Sequence, residues 1–517
     1  MIRFEKLFFV VIALLCSSIV FFVSCSDKTD ANKEDSSDAR SKSINSKNVT
    51  LIPKDAPVVA CINLSKIAEK GDLKNIKQLS SYQYVGMIPG EAKSLFEEFV
   101  DNPDICGINF NEDIVAYPAD LYFETFVAVS PLSDREKFEK FADQVLGKKP
   151  KKQDDYYMIS EGDVLLAWDD CKLLAVIGDD NKSVAEKIMK LDGDNSMASN
   201  SNFNEFWSKR GDVSIYADVD NIMGNALVSM AIQEELARNN VPQKYIDDLS
   251  HGSLFANLSF ESGNVNLHVE RINVGNSLIS GAFNQSFNAD LLKYMPEDPI
   301  SAATFSVNAS YIMNMIRDIQ PDALSEHFND QLTIEDLVKC FKGSFASALV
   351  GFDNENPIYV MAADIDNSSM VDAALSYTLS KDSKTGYYQA EDYYIAVKDN
   401  AIIVSNKPSI ITTTASGLRE CADKAKSGCY MYCNLDANNI AGPFKKDMNS
   451  DMINLWNSLF KSLEVNSSGN NAIDIVLNIP SGNENSLSYL IKFIDKNNEN
   501  IFNVIQDLYM PMYAYGY

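Results

Sequence analysis

The sequence predicts an α+β protein built from two tandem related modules, each a mainly antiparallel sheet with helices on one side. Three observations predict it. Short apolar runs alternate with polar residues and end at Gly, Asn or Asp, as hairpin-linked strands do. Helical patterns are only occasional, which separates α+β from alternating βαβ architecture. Local matches also recur in one order at a spacing of roughly 230 residues, the mark of an internal repeat.

Arg3 and Lys6 precede an uncharged run from Leu7 to Ser24, and Cys25 follows, with Ser26-Asp27-Lys28 after it. These are the basic, apolar and small-residue parts of a secretory signal. A small residue directly before a cysteine is what lipoprotein processing requires, so residues 1–24 are expected to be a signal peptide and Cys25 the acylated residue. Cys16 follows the bulky Leu15 and fits less well. Residues 25–48 form the acylated cysteine and a tether. Its side chains are almost wholly Ser, Asp, Asn, Lys and Glu, too polar to offset the entropy of ordering. A flexible chain of that length spans roughly 25 Å. The lipid bilayer, reached through Cys25, is thus the first expected partner. The expected location is the outer membrane, at the cell surface or the periplasmic face.

The first module is expected over 49–285 and the second over 286–517. In the first, strand signals fall at Val58–Leu64, Phe126–Val129, Val164–Trp168, Leu173–Ile177, Val213–Val219, Leu254–Phe260 and Val265–Arg271. Ser133 to Glu136 reads as a capping box, Phe138, Phe141 and Val145 as an apolar stripe, and Gly147 as the stop. The second module is read from five matches. Ile52-Pro53-Lys54-Asp55 corresponds to Met295-Pro296-Glu297-Asp298, and Phe126–Val129 to Tyr359–Ala362. Tyr156-Tyr157 corresponds to Tyr387-Tyr388, and Ile215–Asp220 to Met431–Asp436. Ser262-Gly263-Asn264 is set against Ser481-Gly482-Asn483. The seam is expected near 273–290. The chain ends in an amphipathic stretch (Ile501, Phe502, Ile505, Leu508) stopped by Pro511, then alternating tyrosines.

The formal charge is −27. Removing residues 1–24 takes away Arg3, Lys6 and Glu5, one net positive charge, and leaves −28. Such a surface repels phosphate backbones, so no nucleic-acid partner is expected. Of nine cysteines, seven remain beside Cys25 once Cys16 leaves, scattered rather than set at framework spacings. Cys429 and Cys433 on one strand face would lie about 13 Å apart, too far for a disulfide.

No catalytic constellation is legible, and no metal site or cofactor is expected. His251, His268 and His327 stand far apart and near no cysteine pair. Ser458-Leu-Phe-Lys461 and Lys384-Thr385-Gly386 match fragments of penicillin-recognising enzymes, but in reversed order and without the Ser-Asp-Asn element. Gly275-Asn-Ser277-Leu-Ile279 lacks the closing glycine of a nucleophile elbow. Asp192-x-Asp194, Asp218-x-Asp220 and Asp364-x-Asp366 open like calcium loops, yet Phe203, Ser229 and Leu375 stand where the bidentate Glu belongs. The paired tyrosines 156–157, 387–388 and 393–394 begin strands, where one of each pair would be buried and the other exposed.

The entry Ile-Pro-Lys-Asp-Ala-Pro at 52–57, followed by Val-Val-Ala-Cys-Ile-Asn-Leu-Ser-Lys-Ile-Ala-Glu-Lys-Gly, resembles a family of uncharacterised Bacteroidetes lipoproteins of about 500 residues. The resemblance implies an envelope location and brings no catalytic residues. The expectation is a non-enzymatic envelope lipoprotein that binds a protein or glycan partner. Its rivals are a periplasmic factor for envelope assembly or lipid and polymer handling, and a hydrolase with a carboxylate-based site.

Overall fold

The structure, a computed structural model, describes residues 48–498 apart from 88–89, 122–123, 239–241, 273–285, 321, 323, 326, 330–331, 355, 413–416, 419–421, 427, 440–448 and 468–470. The expected signal segment, Cys25, most of the expected tether and the segment 501–517 lie outside the described residues.

Strands form where the alternation is strongest. In chain order they are β1 (Val58–Ile62), β2 (Ile114–Pro118), β3 (Phe126–Pro131), β4 (Lys151–Gln153), β5 (Tyr156–Glu161), β6 (Val164–Trp168), β7 (Lys172–Ile177), β8 (Val213–Asp218), β9 (Ser253–Glu261) and β10 (Asn264–Ile272). There follow β11 (Ser301–Ser306), β12 (Phe341–Asp353), β13 (Asn356–Ile365), β14 (Ser380–Lys381), β15 (Tyr388–Ala390), β16 (Tyr393–Lys398), β17 (Ala401–Ser405), β18 (Cys429–Asn434), β19 (Ser462–Ser467) and β20 (Ala472–Asn478). A separate hairpin pairs His327–Asn329 with Leu332–Thr333.

All 20 pair antiparallel in one continuous sheet. Its order is β4-β5-β6-β7-β3-β2-β1-β8-β9-β10, then β20-β19-β18-β11-β12-β13-β17-β16-β15-β14. The pairing order of the first ten strands is therefore that of the last ten, read from the opposite edge. Registers agree at three of the matched segments. Val59 faces Tyr216 as Ala302 faces Tyr432, and Val115 faces Val129 as Ala346 faces Ala362.

Two of the sequence matches are corrected. Counted from the hairpin turns, Tyr388 occupies the position of Ile159 rather than Tyr157, since Glu161 faces Val164 and Ala390 faces Tyr393. Ser481-Gly482-Asn483 is not the counterpart of Ser262-Gly263-Asn264, because it follows β20 instead of joining two strands. The two turns are neighbours in space: Gly263 N–H donates to the Glu484 carbonyl at 3.2 Å, and Ile479 N–H to the Gly263 carbonyl at 2.9 Å. Gly263 has φ +79°, and a Cβ there would come 3.2 Å from the Gly482 oxygen, so both positive φ and close approach select glycine. Turn chemistry alone produced the false match.

The halves meet along β10 and β20, from Asn264 facing Asn478 to Glu270 facing Ala472. This pairing removes two open strand edges at once. The end of the chain reinforces the junction. Helix 486–498 reaches the first half, where the Asp495 carboxylate accepts the backbone N–H groups of Ser80 and Ser81 at 2.8 and 2.7 Å. Asn485 Nδ2 donates to the Phe260 carbonyl.

The helices are not confined to one side of the sheet, as the sequence reading had placed them in each module. On one face, the core holds Leu165, Ala167, Leu174 and Tyr216 under Phe203 and Phe206 of helix Ser201–Ser208. The adjacent Trp168 and Leu173 point oppositely and pack against Phe138 of helix Arg135–Leu146. The second half repeats this arrangement. Ile403 lies in the core with Leu291 and Tyr430, while Ile402 joins Ile365 and Val371 of helix Ser368–Thr378 on the other face. Both strand faces are apolar near the outer strands, so each needs a cover. Helix Arg135–Leu146 is capped by Asp134, which accepts Lys137 N–H, rather than by Ser133; Gly147 closes it in the left-handed region as expected.

Candidate functional site

The face that carries the two large cores turns polar at its centre. In β9 and β10, Asn257, Ser259, Glu261, Asn266 and His268 point to it; in β20 and β19, Asp474, Asn478, Ser462 and Glu464 do. Ladder partners share a face, so Ser259, Asn266, Val476, Glu464 and Tyr432 form one row across five strands. Two clefts open over this polar strip.

The larger, about 650 Å³, lies over β18, β19 and β20. Tyr432, Asn434, Ser462, Glu464 and Asn478 form its floor, with Phe460 and Asn457 at its wall. Asn478 Nδ2 donates to both Ser462 Oγ and Glu464 Oε1 at 2.9 Å, and Glu464 Oε2 takes Lys424 Nζ at 2.5 Å. Asp436 Oδ1 accepts from Asn457 Nδ2 at 3.3 Å. The polar groups are therefore held in place by one another before any ligand arrives.

The smaller cleft, about 360 Å³, lies over β9 and β10 in the first half. Lys66, Lys70, Lys209, Arg210 and His268 supply its positive charge. Lys70 bonds Asp212 at 2.7 Å and Glu261 at 3.0 Å, and Lys209 bonds Glu205 and Glu270. Arg210 stacks on Trp207 at 3.6 Å and pairs with buried Asp113.

Between the clefts, His268 and Asp474 face each other where β10 meets β20. Nδ1 lies 2.7 Å from Asp474 Oδ1, and Nε2 lies 3.5 Å from Glu270 Oε2. The Asp474 bond, then that to Glu270, raises the His268 pKa from 6.5 to about 9 against the opposing effect of burial. A raised folded-state pKa stabilises fully below the unfolded value and is lost as pH climbs through the folded one. The native protein is therefore expected to lose about 1–2 kcal/mol between pH 6.5 and pH 10, after discounting for partial exposure. His268→Gln should remove most of that loss; urea unfolding at the two pH values measures it, and an unchanged slope refutes the assignment.

The residues singled out in the sequence are not brought together. His251 is exposed beside Asp220, and His327 lies in the separate hairpin. Among the described residues, no group of three or more His, Cys, Asp and Glu is placed to hold a metal ion. Ser458 Oγ donates to its own helix at Asn454, whereas Lys384-Thr385-Gly386 forms a turn between β14 and β15 at the sheet's far edge. Asp192, Asp218 and Asp364 spend their oxygens on backbone N–H groups of Asn195, Asn221 and Ser344. Tyr156 and Tyr388 are buried, with Tyr157 and Tyr387 half-buried beside them. Cys61, Cys106, Cys340 and Cys433 are free thiols. Burial pushes Cys429 up to about 12 and raises Cys61 further, so neither is a nucleophile at neutral pH.

Sequence reasoning missed the polar strip itself. The alternating Asn264, Asn266, His268 and Glu270 read as the wet side of a half-buried strand. What reveals it is the fold, in which β8 and β18 on either side of the strip carry Tyr216 and Tyr430 of the two cores on that same face.

The chain belongs to a family described as a domain of unknown function, DUF4836, whose model matches residues 47–468. No protein with curated function matches it. Among solved structures it is similar to TP0453 in several crystal forms. Form III is 9% identical, covering 69% of this chain and 92% of that one, with a TM-score of 0.22. Form I is 9% identical, covering 71% and 98%, with a TM-score of 0.21. Superpositions that poor carry no argument about fold or function. Among the described residues, no helix is long and apolar enough to cross a membrane.

Proposed function

We propose that this chain is a membrane-anchored envelope lipoprotein of the Bacteroidetes, acylated on Cys25 and held on the tether 26–48, that binds a glycan in the 650 Å³ cleft. The two halves are read as copies of one module, a reading supported by their common pairing order.

The lining of the large cleft carries the reading. Amides, a carboxylate and a hydroxyl, fixed by mutual hydrogen bonds, match the vicinal hydroxyls of a sugar, each of which donates and accepts. Tyr432 and Phe460 add aromatic surface for its C–H face. Lys424 and Lys461 against Glu297, Asp298, Asp436 and Glu464 leave no excess of positive charge for an anion.

Trp456 supplies a reporter, since its ring lies 4.7 Å from that of Phe460. Titrating the mature chain with oligosaccharides released from the cell envelope should change its fluorescence. Asn478→Ala should weaken binding about tenfold, or ~1.4 kcal/mol. No response to any fraction, or equal affinity in the variant, refutes the reading. Anchoring is tested separately: Cys25→Ala should move the protein from the membrane to the soluble fraction, and retention in the membrane would count against acylation.

A further inference from the structure

The smaller cleft contains three oxygen atoms that the fold leaves without donors. They are Oδ1 of Asp212, Asn257 and Asn266, all buried, on three residues that line the cleft. Asp212 is 1% exposed and Asn257 7%. The orientations of the Asp212 and Asn257 side chains are set by their other atoms. Asp212 Oδ2 accepts Phe260 N–H at 2.8 Å and Lys70 Nζ at 2.7 Å, and Asn257 Nδ2 donates to the Lys209 carbonyl at 3.2 Å. Lys66 Nζ, at 3.8 Å from Asp212 Oδ1, is too distant for a hydrogen bond. Buried acceptors are normally satisfied, so three in one cleft call for an occupant that donates.

The surroundings narrow what that occupant is. A metal ion or an ammonium group would satisfy the oxygens but enter a lining in which Lys66, Lys70, Lys209, Arg210 and His268 outnumber the carboxylates of Asp212 and Glu261. An anion gains little there, because Lys70, Lys209, Arg210 and His268 each already hold a carboxylate partner. A neutral hydroxyl satisfies both, donating to an Oδ1 and accepting from a lysine.

The position of this cleft relates it to the larger one. Asn266 in β10 and Glu464 in β19 flank Val476 of β20 in one ladder row and point to one face. Two strand spacings separate them, about 10 Å. Half-buried Val476 forms an apolar step between two polar floors.

We propose that the smaller cleft is a second subsite, in which Asp212, Asn257 and Asn266 accept hydroxyl protons from the same ligand that occupies the larger cleft, and that this ligand is an extended neutral oligosaccharide lying across β10, β20 and β19. The proposal rests on the glycan reading of the larger cleft and adds the ligand's length and lack of charge. The protein thereby reads a linear chain through both halves at once.

Each cleft has its own tryptophan nearby, Trp456 at the larger and Trp207, under Arg210, at the smaller. The third, Trp168, lies in the outer core of the first half. The mature chain labelled with 5-fluorotryptophan would be titrated with linear disaccharides and tetrasaccharides of glucose, mannose and N-acetylglucosamine, following three ¹⁹F resonances. The expected result is that a tetrasaccharide moves the Trp207 and Trp456 signals together and binds at least tenfold more tightly than its disaccharide. Asn266→Leu should abolish the Trp207 response and the tenfold gain while leaving the Trp456 response. Its melting temperature should equal or exceed the native one, because it removes an acceptor that the empty fold does not use. A Trp456 response alone would overturn the second subsite and leave the larger cleft standing. Silence at both would overturn both readings. A melting temperature several degrees lower would show that Asn266 serves the fold rather than a ligand, and would overturn the proposal even if sugar binds.

Discussion

Asp113→Ala is expected to lower the unfolding free energy by about 3–5 kcal/mol, as loss of one partner of a buried ion pair does. Asp113 is 5% exposed and stands just before β2. Its Oδ2 takes Arg210 Nε, and its Oδ1 takes Asn63 Nδ2 at 2.7 Å. Its backbone carbonyl takes Asn48 Nδ2 at 2.9 Å. Asn63 caps helix Leu64–Lys70 by accepting Lys66 N–H at 2.9 Å, so one carboxylate joins the start of β2, the first helix and the approach to β8. Alanine would leave Arg210 charged and half-enclosed against Trp207, and Asn63 without its acceptor. Asp113→Asn keeps an acceptor but not the charge and should cost roughly half as much. Urea midpoints with the slope held constant measure both. A loss below about 1 kcal/mol for alanine would mean that solvent reaches Arg210 and that the pair is a surface one. Arg210 also lines the smaller cleft, so the variant should show weakened oligosaccharide binding there even where it stays folded.

How much of this was legible in the sequence depends on the range of the interaction. Val164–Trp168 appears in the structure with the bounds its short apolar run predicts, because such a run is a local signal and both faces of the strand are apolar there. The flanking β4 and β14, three and two residues long, have too few positions to show any period. The cap shifted by one residue, from Ser133 to Asp134, since both side chains can accept an N–H and only backbone geometry decides. Pairing of β10 with β20 was not legible at all. Nothing in Asn264–Ile272 names a partner some two hundred residues away, and any polar-apolar strand would fit the pattern. The site follows from that pairing. Asn266 and Glu464 belong to different halves and become neighbours only through β20. His268 stands out in the sequence, but without Asp474 opposite it there is no reason to assign it a role.

The same pairing decides the second large effect, the behaviour of the first half alone. Were the halves independent, the fragment 49–285 would be a stable monomer. Its β10 would, however, present nine residues of open edge, with Leu267 and Val269 on the face where Ile473, Ile475 and Val465 now cover them. It would also lose helix 486–498, which satisfies two backbone N–H groups at Ser80 and Ser81 through Asp495. The Asp495 carboxyl is held down at about 2 by those bonds, so they persist throughout the pH range in which the native protein would be handled. A second copy of the fragment can replace what is missing. β10 and β20 hold corresponding places in the pairing order, so β10 of one fragment fits antiparallel against β10 of another, in the space that β20 fills. The fragment is therefore expected to purify as a dimer or larger species by light scattering at micromolar concentration. In such a dimer His268 would face a second His268 instead of Asp474, so acidification below its ordinary pKa near 6.5 should split the dimer by like-charge repulsion. In the intact chain that bond is strongest at the same low pH. The opposite signs separate the two situations. A monomeric fragment with native-like cooperativity would show that the strand edge is tolerated and that each half folds on its own core.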